Sequence, residues 1–342
     1  MVPGALHLPV SLPCSPERVA LVRALQLGDL LCAVPALRAL RAALPTATFT
    51  LVGLPWARTL LDRYPHYLDD FMAFPGEREI PERDPDDRRR EAFFTDAEER
   101  RFDLAIQMHG DGSIMNGFTA KLGARAMSGF CRPGAIPEQG RFLSYPDGES
   151  EVQRLLRLAE FLGAPSRSDH LEFPLFEDDE DEAARLRAQH GLGHGRYACL
   201  HPGGRGADRR WEPAGFAAVG EALAAGGIDI AITGTEEEQP IAEAVARRMS
   251  LPTAVLAGRT TLGGLAALLS GSRLLLANDT GVSHLAAALR VPSVIIFTGS
   301  DPQRWAPADG TLHRPMLASA GEHVDPKEVV EAAEELMEVV AP

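Results

Sequence analysis

The sequence predicts an α/β protein built from two doubly wound, parallel-sheet domains. Three observations predict it. Short apolar segments alternate with helical ones, the pattern of parallel strands covered on both faces by crossover helices. That alternation runs twice, interrupted by an acidic run at 177–182 (EDDEDE) and a glycine-rich stretch at 191–195. The length of 342 residues fits two domains at about 150 residues each.

In the first half, residues 18–23 (RVALVR) are apolar and β-branched enough for a buried strand. Residues 24–28 turn, and 29–44 read as a helix with apolar residues on most faces. Strands follow at 48–52 and 102–108 (FDLAIQM), the latter leading through a glycine-rich turn into a helix ending near 122. The region 77–101, with ten acids and seven arginines, reads as a solvated insertion carrying a short helix. The rhythm resumes after 195, with strands at 197–200, 228–233, 274–277 and 293–297 and helices at 213–225, 236–249, 262–269 and 281–289. The domain boundary is expected within 174–195, giving domains 1–174 and 175–325. A last helix, 326–340, is long enough to cross back toward the first domain. Two such domains on one linker imply an interdomain cleft, with ligands at the carboxyl ends of the strands.

Composition excludes other classes. With 45% hydrophobic and 24% charged residues, the chain has ample apolar material to bury. Its longest apolar runs fall far short of the roughly 20 residues of a spanning helix, and no secretory signal is evident. The net charge of −14 argues against a nucleic-acid partner, which would demand a basic footprint. Only Lys121 and Lys327 are lysines, so a phosphate clamp here is expected to be an arginine clamp. Cys14, Cys32, Cys131 and Cys199 are scattered, without the paired spacing of a zinc site or a disulfide framework, and fit a reducing compartment.

Four strand-end loops could carry chemistry. Gly28 and Asp29 open the first helix; Asp29 reads either as an N-cap or as a carboxylate able to take a proton from a hydroxyl. The loop 201–206 (HPGGRG) exposes backbone N–H groups at Gly203, Gly204 and Gly206 beside Arg205, Arg209 and Arg210, a pattern suited to an anion. Asn278-Asp279-Thr280-Gly281 begins a helix whose free N–H groups and dipole suit a phosphate, or is a plain Asp/Thr cap. Glu236, Glu237 and Glu238 follow another strand and serve as dipole complements or as a ribose-diol contact. No dinucleotide fingerprint, P-loop, nucleophile elbow or HExxH motif occurs.

Taken together, the segments RALQLGDLLCAVPALRALRAALP, FDLAIQMHGDGS, LHPGGRGADRRWEPAGFAAV, TGTEEEQPIAEAV and NDTGVSHLAAAL resemble glycosyltransferase family 9, the heptosyltransferases of lipopolysaccharide core assembly. The resemblance spans residues 18 to about 307. It implies two facing Rossmann-like domains of the GT-B type, and an inverting, metal-independent transfer from a nucleotide-diphospho-sugar, typically ADP-heptose. It implies no cofactor. By the motif matches, Asp29 is the general base and Arg209 contacts the pyrophosphate, where family members commonly carry lysine. Glu238 contacts the ribose, and Asp279, Thr280 and Gly281 hold the sugar and phosphates. Gly203, Gly204 and Arg205 complete the donor side. Gly28, His109, Arg38 and Arg41 are candidates for the acceptor side, facing a glycan or glycolipid. The chain is then expected to be a cytoplasmic monomer, with peripheral contact on the inner membrane surface left open. A nucleotide-sugar epimerase, using His109 and His284, and a non-catalytic nucleotide-sugar-binding protein are the alternatives on the same frame.

Overall fold

A computed structural model describes residues 15–339 except 136, 138–139, 167 and 318–323. The chain divides into two compact units, Met1–His170 and Leu171–Pro342. The division falls a few residues before the expected 174.

The first unit runs β1 (Arg18–Val22), α1 (Leu27–Ala43), β2 (Thr48–Gly53), β3 (Asp70–Ala73), α2 (Asp87–Arg100), β4 (Leu104–Gln107), α3 (Met115–Ala120), β5 (Ala126–Cys131), β6 (Arg141–Ser144) and α4 (Glu151–Phe161). Its six strands are all parallel, in the order β3-β2-β1-β4-β5-β6. β1 is central, with Val19 opposite both Phe49 and Leu104, and its last four residues are buried. α1 packs against α4, and its buried set runs almost unbroken from Leu30 to Leu37. That is why its apolar residues cover most faces: both the sheet and a second helix bury them.

The charged region 77–101 corrects the expected insertion. It supplies α2, the crossover from β3 to β4, which buries Phe93 and Ala97 in a cluster with Phe74, Phe102 and Phe118. The aromatic rings of Phe74 and Phe118 meet edge to face at 5.0 Å. Phe93 and Ala97 suffice to seat a helix whose other positions are mostly charged. Asp86 caps it, accepting from the N–H groups of Arg88 and Arg89.

The second unit runs α5 (Glu177–His190), β7 (Tyr197–His201), α6 (Pro213–Ala225), β8 (Asp229–Ile232), α7 (Gln239–Ala246), β9 (Thr253–Val255), α8 (Leu262–Ser270), β10 (Leu274–Asn278), α9 (Gly281–Leu289), β11 (Ser293–Phe297), α10 (Pro302–Trp305), β12 (His313–Leu317) and α11 (Pro326–Val339). Its six parallel strands follow β12-β11-β10-β7-β8-β9. The acidic run 177–182 is no linker but the first turns of α5, which packs on α8; Glu182 accepts from both the N–H and the hydroxyl of Thr261. Acids in a first turn complement the helix dipole.

Numbered within each unit, both sheets have the order 3-2-1-4-5-6, which reverses beside the first strand. At that reversal the flanking loops part and leave a crevice at the carboxyl ends of the strands. The two crevices lie at β1/β4 and at β7/β10.

Cys32, Cys131 and Cys199 are buried, and burial pushes the Cys199 thiol up to about 12, so it is an inert core group. Cys14 lies outside the described residues. The apolar stripe of α11 packs in the second unit. Val329, Ala333 and Leu336 enter the core formed by Leu200, Leu274, Val294 and Phe216. Leu336→Ala should therefore destabilise the protein by about 2–5 kcal/mol, read as a lower midpoint in urea denaturation.

Candidate active site

At the β1/β4 crevice, the chain leaves β1 through Arg23 and enters α1 at Leu27. Gln26 occupies the N-cap position without a side-chain capping bond. Asp29 is the third residue of the helix, so the cap reading is corrected: its carboxylate is a first-turn charge, 21% exposed, favoured there by the helix dipole. Gly28 is buried one position earlier.

Arg23 organises this end of the sheet. Its guanidinium is buried, with the residue 1% exposed. Nε donates to the Asp29 carbonyl at 2.8 Å, one terminal nitrogen to the Met108 carbonyl, and the other to Glu151 Oε1 at 3.0 Å. The same nitrogen is 3.9 Å from Asp29 Oδ1. Glu151 Oε2 in turn accepts from Arg154 at 2.6 Å, and Arg154 donates to the Pro146 carbonyl and stacks over Tyr145 at 4.4 Å. Sequence reasoning missed this cluster. Its one signal was an arginine directly after the apolar run VALV.

His109 follows β4 and is buried, with Nδ1 lacking a partner among the described residues. Burial, and then the Arg23 charge, push its pKa down to about 3 against the opposing pull of Glu151. The ring is therefore uncharged at neutral pH.

Arg38 and Arg41, the other acceptor-side candidates, are engaged with their own unit. Arg38 donates to the carbonyls of Ser168 and His170. Arg41 donates to the Ala47 and Tyr67 carbonyls, pairs with Asp69 and covers the Phe49 ring at 4.5 Å. Both guanidiniums tie backbone within their own unit.

At the β7/β10 crevice, the glycine loop is held from three directions. Asn278 ends β10 fully buried. Its Nδ2 donates to the carbonyls of Pro202 and Gly203, each at 2.9 Å, and its Oδ1 accepts from Trp211 N–H at 2.9 Å. Arg210 Nε donates to the Gly204 carbonyl at 2.6 Å. Glu238, just before α7, accepts from Gly204 N–H at 2.7 Å and from Thr235 N–H at 2.8 Å. Glycine is required at 203 and 204: a Cβ on Gly203 would lie 2.2–2.5 Å from the Glu238 carboxyl, and Gly204 has φ +148°.

Burial works against the Glu238 charge, but neighbouring His201 and the N–H donors of Thr235 and Gly204 outweigh it and hold the carboxyl below its usual range. Burial lowers the pKa of His201, whose Nδ1 meets the Thr233 hydroxyl at 3.0 Å. The expected free N–H at Gly204 is thus already bonded to Glu238. The Thr235 hydroxyl also bonds the carboxylate, which therefore uses three of about four acceptor positions here and keeps one.

Thr280 is the N-cap of α9, yet its side chain makes no capping bond, and its buried Oγ1 lacks a partner among the described residues. Gly281 is the first helical residue, and Asp279 is buried beside it. A Cβ on Gly204 would come within 2.9 Å of the Thr280 methyl, so this helix start and the glycine loop adjoin. Arg205 and Arg209 are exposed on the far stretch of the loop; Arg209, in the 3₁₀ turn Ala207–Arg209, pairs with no described residue. The structure therefore brings Gly203, Gly204, Glu238, Thr280 and Gly281 together, leaves the arginines at the rim, and adds Asn278. His284 is buried in α9, against Trp305 at 6.0 Å. Among the described residues, no group of three or more His, Cys, Asp or Glu is placed to hold a metal, and no helix is long and apolar enough to cross a membrane.

Two parallel sheets of this order, each with its motif at the reversal, define a protein of the GT-B class. The model of glycosyltransferase family 9 (heptosyltransferase) matches residues 90–323, and the chain belongs to that family. It is 30% identical over 114 residues to lipopolysaccharide heptosyltransferase 3 of Escherichia coli, across 32% of this chain and 34% of that protein. It is 25% identical over 290 residues to lipopolysaccharide heptosyltransferase 2 of Salmonella typhimurium, covering 80% and 81%. The chain thus spans about a third to a half of the first curated relatives it matches, and about four-fifths of others. Among solved structures, a family 9 glycosyl transferase from Veillonella parvula shares the fold at TM-score 0.81 and 19% identity, covering 94% of this chain and 97% of that one. E. coli heptosyltransferase WaaC with ADP does so at TM-score 0.68 and 21% identity, covering 95% and 99%. Gly28 and Asp29 precede the matched span of the family model.

The His109 environment makes stability pH-dependent. Unfolded histidine binds a proton near pH 6.5, whereas folded His109 resists it down to about 3. Stability is therefore fully present above pH 6.5 and falls as the pH drops below it, by about 1–2 kcal/mol at pH 5. His109→Gln should flatten that slope in denaturation midpoints measured from pH 7 to 5.

Proposed function

We propose that this protein transfers heptose from ADP-heptose to a glycan or lipopolysaccharide-core hydroxyl, with inversion at the anomeric carbon. The observation that carries the reading is the cradle at the β7/β10 crevice. There a glycine loop, the Glu238 carboxylate and the start of α9 adjoin, with the unpartnered Thr280 hydroxyl among them. Free helix-start N–H groups and close-approach glycines suit a diphosphate, and a carboxylate with an acceptor position left suits a ribose hydroxyl. The relatives carry heptosyltransferase names, and one solved relative holds ADP.

In this reading the acceptor oxygen attacks the anomeric carbon while the bond from that carbon to the diphosphate oxygen breaks. The nucleoside diphosphate leaves from the opposite face. Asp29, partly exposed in the first turn of α1, removes the hydroxyl proton. The α9 start and Arg209 receive the charge that develops on the leaving diphosphate. An epimerase would instead need an acid beside the sugar; of its two candidates, His109 is held uncharged and His284 is buried against Trp305.

Asp29→Asn should lower turnover at least about 100-fold, because an amide cannot take the proton, and should leave the ADP dissociation constant unchanged. Steady-state ADP release alongside calorimetry measures both; a retained rate removes Asp29 as the base. Arg209→Ala should weaken ADP binding by about 1.5–3 kcal/mol, the loss of a charge-assisted contact. Calorimetry in EDTA checks this together with the metal-independent binding of ADP.

A further inference from the structure

Arg23 has no place in the transfer chemistry described above, yet its buried guanidinium bridges the elements around the β1/β4 crevice. Its guanidinium joins three elements: the first turn of α1 through the Asp29 carbonyl, the end of β4 through the Met108 carbonyl, and the start of α4 through Glu151. Packing alone does not call for such a group. A buried ion cluster is costly, and apolar replacements of similar volume are often neutral or stabilising.

The charge count of the cluster is uneven. Arg23 and Arg154 contribute two guanidiniums, while Glu151, shared between them, contributes one carboxylate. Asp29, with Oδ1 3.9 Å from Arg23, is the carboxylate that evens the count. Glu151 is buried, but the Asp29 side chain is a fifth exposed and can reach a substrate hydroxyl. The titratable and charged groups with described contacts here are Arg23 at the end of β1, His109 at the end of β4, Glu151 and Arg154 on α4, and Glu149 just before α4, whose carbonyl accepts from Arg154 and whose carboxylate pairs outward with Arg157. His109 is uncharged and leaves the count unaltered.

Resting on the reading of Asp29 as the base, we propose that Arg23 is a positioning residue. It clamps the helix turn that bears Asp29 through the residue's own carbonyl, and the excess positive charge of the Arg23–Glu151–Arg154 cluster keeps the base ionised. The two ends of the cluster then have opposite effects. Removing Arg23's charge makes Asp29 easier to protonate, and removing Glu151's makes it harder. A structural role predicts only loss of stability from both.

The test is the pH–rate profile of ADP release by the full chain, with ADP-heptose and heptose-free lipopolysaccharide core as the acceptor probe. In Arg23→Met the acid limb should move up by about one pH unit, and in Glu151→Gln it should move down by a similar amount. The ADP dissociation constant should hold in both. Arg23→Lys keeps the charge but lacks the three-way fork. It should leave the limb in place and lower kcat about 10- to 100-fold by misplacing the base, with the donor KM unchanged. Acid limbs that stay put, or that move in the same direction in both charge variants, overturn the proposal. If Arg23→Met does not fold, the direction in Glu151→Gln decides alone. A wild-type chain without turnover, or Asp29→Asn with full turnover, instead removes the base itself and this role of Arg23 with it.

Discussion

Where a doubly wound sheet reverses direction, the loops on either side of the first strand diverge, and the backbone groups at those strand ends lose their neighbours. Buried carbonyls and N–H groups must then find partners elsewhere. Both units meet this constraint with one side chain. In the first, Arg23 reaches from the end of β1 to the carbonyls of Met108 and Asp29. In the second, Asn278 reaches from the end of β10 to the carbonyls of Pro202 and Gly203 and to the N–H of Trp211. The donor chemistry differs, but the task is the same. Each holds open a strand-end loop that would otherwise collapse or fray, and each sits directly beside the residues assigned to substrate.

The arginine-rich, lysine-poor composition takes on a second meaning from these contacts. The sequence suggests an arginine clamp for phosphate, and Arg209 remains a candidate for it. Most of the arginines with defined partners are internal ties instead. Arg23, Arg38, Arg41 and Arg154 each bond main-chain carbonyls, and Arg41 and Arg154 also lie over aromatic rings. A planar fork with several donors can bond two carbonyls and a carboxylate at once, which an ammonium group cannot do with fixed geometry.

The strongly apolar strands were legible because burial on both faces leaves no room for polar residues. β1, β2, β4, β7, β8, β10 and β11 all announce themselves this way. β3, β5, β6, β9 and β12 did not, being short or interrupted by polar residues, as in RFLS and HRPML. α2 was misread because charge dominates its composition, although Phe93 and Ala97 are enough to seat it. The glycine loop, Glu238 and the start of α9 were legible as motifs at strand ends. What could not be read was partnership across long sequence distance. Nothing local to Arg23 points to Glu151, nothing local to Asn278 points to Pro202, and Arg38 and Arg41 look solvated until their carbonyl partners are known.

The strand order also sets a timetable for synthesis. β1 is the centre of its sheet, but its second neighbour, β4, begins at Leu104 and its helix partner α4 at Glu151. Until those segments leave the ribosome, one edge of β1 is unpaired and the apolar faces of α1 are uncovered. The second unit repeats the delay, because β7 waits for β10, and α11, which seals its core, follows later still. Parallel sheets built from such distant pairings fold slowly and expose sticky edges meanwhile. The nascent chain therefore passes twice through a stage in which a central strand is present and its partner is not, and these are the intervals at which a chaperone has most to protect.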